Sequence, residues 1–402
     1  MPSFEPQYTD QLPAAADLVI IGGGIIGVAT AYFAARAGLR PIVLEKRAMP
    51  GTLTTPKATG AFRAQFDNPD EMALVREGID FYTHFGERTR MDGYDLGLGI
   101  HQQGYLWLAT TPETVERQRT LVAEQRGWGL DDVELLDGDE ARRRFPYLSH
   151  EVLGARYRAG DGWLDVRCLM MGYARASQAP LVLETSVTGI EVVGGRVRGV
   201  QTSRGAVSTE RVVIAAGPFS AEVGRLADLE LPITCVRRQR LILPEIPDVP
   251  QDAPMTIDDE TGAHWRPWAT GAHLMWTTPT EPPSHPQEDV PTTASFAFGL
   301  LYPASDHAVA RISPFWRDVW LRNTAHWLQV AGQYSYTPDH RPLLGATPIE
   351  GLFVNCGYSG HGIMASAGGS RLAVDVITGA LANADNPFRL DRHFVERSLD
   401  VL

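Results

Sequence analysis

Cysteine is scarce in this chain. Its three cysteines, Cys168, Cys235 and Cys356, make neither a disulfide framework nor a metal-ligand spacing. All three sit in apolar settings, so they read as buried thiols in a reducing compartment, and no metal site is expected. No uninterrupted apolar run reaches the roughly 18 residues that a membrane-spanning helix needs. The opening MPSFEPQYTDQLPAAAD has no basic n-region and no apolar h-region, so no secretory signal is expected, and a cytoplasmic location is. Positive charge is in deficit: 36 Lys and Arg against 48 Asp and Glu give a formal net charge of −12. That balance speaks against nucleic acid or an anionic membrane surface as a partner. No internal repeat is seen. The Pro- and Thr-rich stretch 279–293 reads as an exposed loop. What remains is ordinary globular material, 44% apolar and 21% charged over 402 residues, long enough for about two domains.

Residues 17–46, DLVIIGGGIIGVATAYFAARAGLRPIVLEK, read as strand, glycine turn, helix, strand, acid. Leu18–Ile21 suits a buried parallel strand. Gly22, Gly24 and Gly27 fall in the G-x-G-x-x-G spacing: the first allows a tight turn, the second lets the backbone approach a pyrophosphate, and the third lets helix and strand approach closely. The helix from Ile25, with Ile26 in its first turn, offers unpaired N–H groups to phosphate, and Gly38 closes it. The strand Pro41–Leu44 delivers Glu45, whose carboxylate can accept both ribose hydroxyls of an adenosine, with Lys46 beside it. The whole unit predicts a dinucleotide site.

The surroundings bear on which dinucleotide. After Lys46 the chain leaves the sheet for a polar, glycine-containing segment, MPGTLTTPKATGAFRAQ. Strands of the same kind return much later. TERVVIAAGP, residues 209–218, ends in a second glycine turn, and LFVNCGYSGHGIMASAGG, residues 352–369, is strand, glycine loop and small-residue helix. A nucleotide domain assembled from three separated segments is characteristic of FAD oxidoreductases. The helix that begins near Ile363 aims its N-terminus, through residues 357–362, at an anion.

Further motifs make a resemblance specific: GAFRAQF at 60–66, GYLWLA at 104–109, DGWLDV at 161–166, VVIAAGPFS at 212–220, YTPDHRPLLG at 336–345 and GYSGHG at 357–362. In their order and spacing the chain resembles the D-amino-acid-oxidase superfamily of FAD enzymes, within it the sarcosine oxidase (β-subunit type), dimethylglycine dehydrogenase, glycine oxidase and L-proline dehydrogenase group. The resemblance implies an α/β fold with a discontinuous, Rossmann-like FAD-binding domain, residues 1–90, 166–235 and 325–402. An inserted α+β substrate domain, residues 91–165 and 236–324, would be built on a mainly antiparallel sheet roofing the isoalloxazine.

It also implies roles. Thr59 and Gly60 would lie at the flavin, and Val187 would set its backbone against the adenine. Ala215 and Gly217 would pass beside the pyrophosphate or ribityl chain, although a plain turn after a core strand accounts for them equally well. Gly357, Gly360, Gly362 and Ile363 would face the flavin pyrimidine, with His361 and Met364 near the ring. His361 is read first as a packing and hydrogen-bonding residue, and second as a proton-transfer group. Arg63 would fork onto the substrate carboxylate, a role that suits a planar, permanently charged guanidinium. Tyr334 would stand over the substrate. Asp339 reads as a turn residue. In GAHWRPW, alternate residues of a strand would face the substrate, and Trp265 and Trp268 offer an aromatic wall or ordinary core.

Departures from the family pattern matter as well. Gly332 stands where monomeric sarcosine oxidases carry the cysteine bonded to the flavin, and Pro56–Thr59 replaces the tryptophan–histidine pair of histidine-linked members. The FAD is therefore expected to be non-covalent. Met364 replaces a lysine that helps bind the carboxylate, and HLMW at 273–276 contains no match for the oxygen-activating lysine. The expected function is oxidation of the C–N bond of a small amino acid, most suitably a secondary or N-methylated one such as sarcosine, by hydride transfer from the α-carbon to flavin N5. Molecular oxygen or another electron acceptor would complete the cycle. Glycine, L-proline or a D-amino acid are alternative substrates. A non-catalytic FAD-binding assembly protein is the alternative class, against which Arg63 and Tyr334 argue.

Overall fold

The computed structural model describes residues 5–91, 93, 96–278, 281–322 and 326–397. The expected boundary at 324/325, the chain ends and the first two residues of the 279–293 loop lie outside the described residues.

Among the described residues, seven strands form one sheet in the order Tyr8–Thr9, Leu181–Val182, Pro41–Leu44, Leu18–Ile21, Val212–Ile214, Leu352–Cys356, Leu343–Ala346. All neighbours are parallel except the last pair. Strands buried on both faces need unbroken apolar runs, and Leu18–Ile21 divides its side chains by period two. Leu18 and Ile20 join the helices Ile25–Arg36, Val166–Ser177 and Gly362–Thr378, whereas Val19 and Ile21 join a three-stranded sheet of Val187–Val193, Arg196–Thr202 and Gly205–Ser208. Three distant pieces of sequence thus meet edge to edge, with Val212 paired to both Val19 and Leu352.

A second, larger sheet runs Pro283–Ser284, Thr234–Leu243, Gly271–Met275, His264–Trp268, Met255–Asp258, Tyr105–Ala109, Gly154–Arg158, Glu134–Asp137. It is antiparallel except where Met255–Asp258 meets Tyr105–Ala109. Leu328–Tyr336, expected in the nucleotide-binding part, is a strand of this sheet: it pairs with Thr234–Leu243 from Thr234↔Tyr336 to Ile242↔Leu328. The expected break at 235/236 falls inside that ladder, whose hydrogen bonds no local sequence signal announces.

Register decides which side chains face the nucleotide-binding part. Residues opposite one another in an antiparallel ladder share a face. Arg240, Met275 and His264 make one row, and Ile242, His273 and Arg266 the next. Their intervening neighbours Leu241, Leu274 and Trp265 lie in a separate core with Trp316 and Leu300. Of the two readings of these tryptophans, Trp265 follows ordinary core, fully buried on the far face, and Trp268 is exposed, so they form no aromatic wall. The near face is instead lined by Tyr105, Trp107, Met255, Ile257 and Met275, clustered with Ala61 and Trp163.

Candidate active site

The early glycine turn is closed by contact. Gly22 has φ +113°, and a Cβ there would lie 2.6 Å from the Ala215 carbonyl oxygen. A Cβ on Gly27 would lie 1.8 Å from the Gly22 carbonyl oxygen, so Gly27 supports the turn from behind. The helix Ile25–Arg36 has no side-chain cap, and its first N–H donates to Thr55 Oγ1 at 3.2 Å. Glu45 is buried, with Oε2 accepting from the Gly23 N–H at 2.7 Å and Oε1 from the Arg47 N–H at 2.9 Å. Burial raises its carboxyl above the usual range against those two backbone bonds. Each oxygen keeps a further lone pair for a hydroxyl. Lys46 Nζ sits 3.5 Å over the Phe219 ring and 2.6 Å from Glu288, which also holds Arg47 at 2.8 Å.

A cavity of about 430 Å³ starts at this turn. Of the residues singled out from sequence, Gly22, Gly24, Ile25, Ile26, Glu45, Lys46, Thr59, Val187, Ala215, Gly217, Gly332, Tyr334, Gly357, Gly360, Gly362 and Ile363 line it. Gly27, Gly60, Arg63, His361 and Met364 lie outside the lining. Gly60, at φ +74°, is pressed against the Leu164 carbonyl, 2.1 Å from where a Cβ would stand. Met364 is buried among the helices. His361 turns its ring away, with Nδ1 3.4 Å from Glu71 Oε1 and its edge against Phe66 at 5.0 Å. In this geometry the His361 ring hydrogen-bonds and packs, and it does not line the cavity.

At the far end the strand Leu352–Cys356 runs into the loop before the helix Gly362–Thr378, which also has no side-chain cap. Gly360, at φ +97°, lies flat against Tyr334: a Cβ there would stand 2.3 Å from the ring's Cε2. Burial raises the Tyr334 hydroxyl, opposed by Arg238, Arg240 and Arg63 nearby.

Arg63 is 7% exposed. Its guanidinium lies 4.4 Å from the Phe66 ring centre and 5.4 Å from that of Trp107, and Nη1 donates to the Gln65 carbonyl at 2.7 Å. Among the described residues no carboxylate stands within ion-pair distance of it. Buried Asp161 is close by but committed: it accepts from the Ala64 N–H at 2.8 Å, from Gln65 Nε2 at 2.9 Å and from Arg158 at 2.6 Å. It thereby fixes the backbone that carries Arg63. The histidines of the roof are neutral near pH 7. Desolvation lowers His264 to about 4, with Arg63 adding to the effect, and it lowers His273 far below the usual histidine range, with Arg266 and Arg240 adding to it.

Residues 17–376 match the family model described as DAO, FAD dependent oxidoreductase. The chain belongs to that family. Human mitochondrial sarcosine dehydrogenase is 27% identical over 92% of this chain, which spans 40% of the human protein; the chain is thus about two fifths the length of that relative. Glycine oxidase from Pseudomonas aeruginosa is 28% identical, covering 90% of this chain and 94% of its own length. Among solved structures, L-proline dehydrogenase from P. horikoshii shares the fold, with a TM-score of 0.81, 24% identity, and coverage of 94% of this chain and 96% of its own.

The family's FAD fits what this chain presents. Two helix N-termini whose own N-cap residues supply no side-chain cap point into one cavity, suiting a pyrophosphate at one end and an electron-rich ring edge at the other. Gly22 and Gly27 leave no room for side chains between them and the backbone they touch. Glu45 would hold the ribose. Glu45→Ala is expected to weaken FAD binding by about 10- to 100-fold, the size of one or two hydrogen bonds to a charged acceptor, read by titrating flavin fluorescence. Unchanged affinity would remove Glu45 from the ribose site.

Sequence reasoning passed over Arg240, Tyr105 and Trp107. The signal for Arg240 was present in CVRRQRLIL, where Arg238 and Arg240 alternate along one strand. Nothing in GYLWLA itself tells which of its residues face inward.

Proposed function

We propose that this chain oxidises the C–N bond of a small amino acid, with a secondary or N-methylated amine such as sarcosine as the preferred kind. Glycine, L-proline and D-amino acids are the alternatives. The buried, carboxylate-free guanidinium of Arg63 beside Tyr334 and under an aromatic roof carries this reading. FAD, held without a covalent bond because Gly332 and Pro56–Thr59 supply neither the cysteine nor the histidine of flavin-linked members, supplies the acceptor for the α-carbon hydride, leaving an imine that water hydrolyses.

The chain's own residues bind and orient. Arg63 holds the α-carboxylate and so fixes which bond points to the cavity, a positioning contribution. Phe66, Trp107 and Tyr105 exclude water. Tyr334, set against Gly360, closes the side nearest the helix N-terminus. The amine must be neutral to react, and a dry site beside a fixed cation lowers its pKa. No side chain is assigned as a dedicated base: desolvation makes His264 and His273 weak proton acceptors, and His361 faces Glu71. The two-unit division at 1–90, 166–235 and 325–402 against 91–165 and 236–324 is proposed with Leu328–Tyr336 transferred to the substrate unit. The electron acceptor is molecular oxygen or another carrier, and a cytoplasmic location is proposed with it; among the described residues no helix is long and apolar enough to cross a membrane.

The test is anaerobic mixing of FAD-loaded protein with sarcosine, dimethylglycine, glycine, L-proline and D-alanine. Bleaching by one of them supports the proposal, and admitting air then separates oxidase from dehydrogenase. A yellow protein that no amine bleaches defeats it. The kcat/KM profile is expected to rise with pH to a plateau, its inflection following the amine pKa across a substrate series. His264→Gln should leave that inflection in place. An inflection near 4 that vanishes in the variant would instead make His264 the base.

A further inference from the structure

Arg240 and Arg266 lie in adjacent rows on the inner face of the roof. They are 9% and 4% exposed. Arg240 donates through Nη1 to the Ala58 carbonyl at 2.5 Å and through Nη2 to the Pro56 carbonyl at 3.4 Å. Arg266 donates through Nη2 to the Thr59 carbonyl at 2.5 Å and through Nη1 to the Pro267 carbonyl at 2.8 Å, and its guanidinium stands 5.1 Å from the Trp163 ring centre. The Nε of each is buried with no hydrogen-bond partner. Among the described residues neither has a carboxylate within ion-pair distance.

Burying one cation without a counter-charge is costly, and burying two side by side more so. The strain registers in the groups themselves: desolvation lowers Arg240 to about 10, and it lowers Arg266 to about 9 with Arg240 adding to the effect. The surrounding polar groups do not compensate. His264 and His273 are neutral, Tyr105 and Tyr334 offer hydroxyls, and Asp161 is engaged with Arg158. Backbone carbonyls, three in the 56–59 loop and one at Pro267, satisfy four of ten N–H donors and none of the charge. With Arg63, three buried guanidinium groups lie around Tyr105 and Tyr334, Arg240 among them lining the cavity, and a monocarboxylate neutralises one of them.

We infer that this space takes two acid groups of a single substrate, Arg63 binding the α-carboxylate and the Arg240–Arg266 pair binding a second one. The substrate class is then an N-alkylated amino dicarboxylic acid. The inference rests on the proposed function for its chemistry, but the diacid site can be read without turnover.

The experiment uses FAD-loaded protein and inert acids: acetate and propionate against malonate, succinate and glutarate. Binding is followed by perturbation of the flavin spectrum and by thermal shift. One diacid is expected to bind about 30-fold more tightly than the monoacids, the size of an added charge-assisted pair. Arg266→Gln should abolish that preference while monoacid affinity stays within a few fold, and Arg266→Lys should restore part of it. Should Arg266→Gln fail to fold, the wild-type ratio decides alone. Equal binding of succinate and propionate by wild type overturns the inference. So does an Arg266→Gln protein that keeps the diacid preference but shifts the flavin's reduction potential, which would assign the pair to the ring. In the reductive half, N-methylaspartate should bleach the flavin at lower concentration than sarcosine. Bleaching by sarcosine with no diacid preference sinks this inference and spares the proposed function, whereas diacid preference with no bleaching by any amine does the reverse.

Discussion

Arg63→Ala is expected to lower kcat/KM for carboxylated amines by about 30- to 3000-fold. Removing one partner of a buried, hydrogen-bonded charge pair costs about 2–5 kcal/mol, and each 1.4 kcal/mol is tenfold. Most of the loss should appear in KM, because the carboxylate is held alike before and during the reaction. A smaller fall in kcat reports lost orientation. A plain amine without a carboxylate should react with both proteins at similar rates. Arg63→Lys should recover only part of the loss, since an ammonium cannot fork onto a carboxylate. Arg63 also fills the gap between Phe66 and Trp107, so flavin content and melting temperature of the variant must match wild type for the kinetics to count. An equal loss for carboxylated and plain amines would show that Arg63 supports the fold and leave the carboxylate without its proposed partner.

Gly27→Ala should cost the protein its FAD. A methyl group at this position would stand 1.8 Å from the Gly22 carbonyl oxygen, which is backbone and cannot rotate aside. Relief requires the helix Ile25–Arg36 to withdraw from the turn, taking its free N–H groups away from the pyrophosphate position. Overpacking of this kind costs about 3 kcal/mol, and lost cofactor binding compounds it, since a ligand stabilises only the state it binds. Gly38→Ala is the control. Gly38 has φ +86° but open space around it, so alanine there should cost about 1 kcal/mol of backbone strain and leave the protein yellow. A Gly27→Ala protein that binds FAD as wild type does would mean that the turn is not the diphosphate cradle.

Sequence legibility followed the distance over which each feature is determined. The unit from Leu18 to Glu45 could be read because turn, helix and acid are local: three glycines and an apolar run specify them without reference to the rest of the chain. The same holds for the loop from Gly357 to Ile363. The roof could not be read that way. CVRRQRLIL shows that Arg238 and Arg240 share a face, but only pairing with Leu328–Tyr336 and Gly271–Met275 determines that this face looks inward. A one-residue difference in register would have exchanged Arg240 with Leu241. GAHWRPW shows the same dependence: His264 and Arg266 turned inward, and the bulkier Trp265 went to the opposite core beside Trp316. The position of His361 before the helix is legible locally, yet its ring orientation depends on Glu71, which approaches from a helix nearly three hundred positions earlier in the sequence.

The central parallel sheet has a consequence for biosynthesis. Val212–Ile214 is joined on one side to Leu18–Ile21 and on the other to Leu352–Cys356, and the second helix N-terminus follows at Gly362. A nascent polypeptide on the ribosome therefore has its first glycine turn early but no complete flavin pocket until residues beyond 362 have left the exit tunnel. Coenzyme capture is thereby a late event, after the intervening substrate sheet has had time to form.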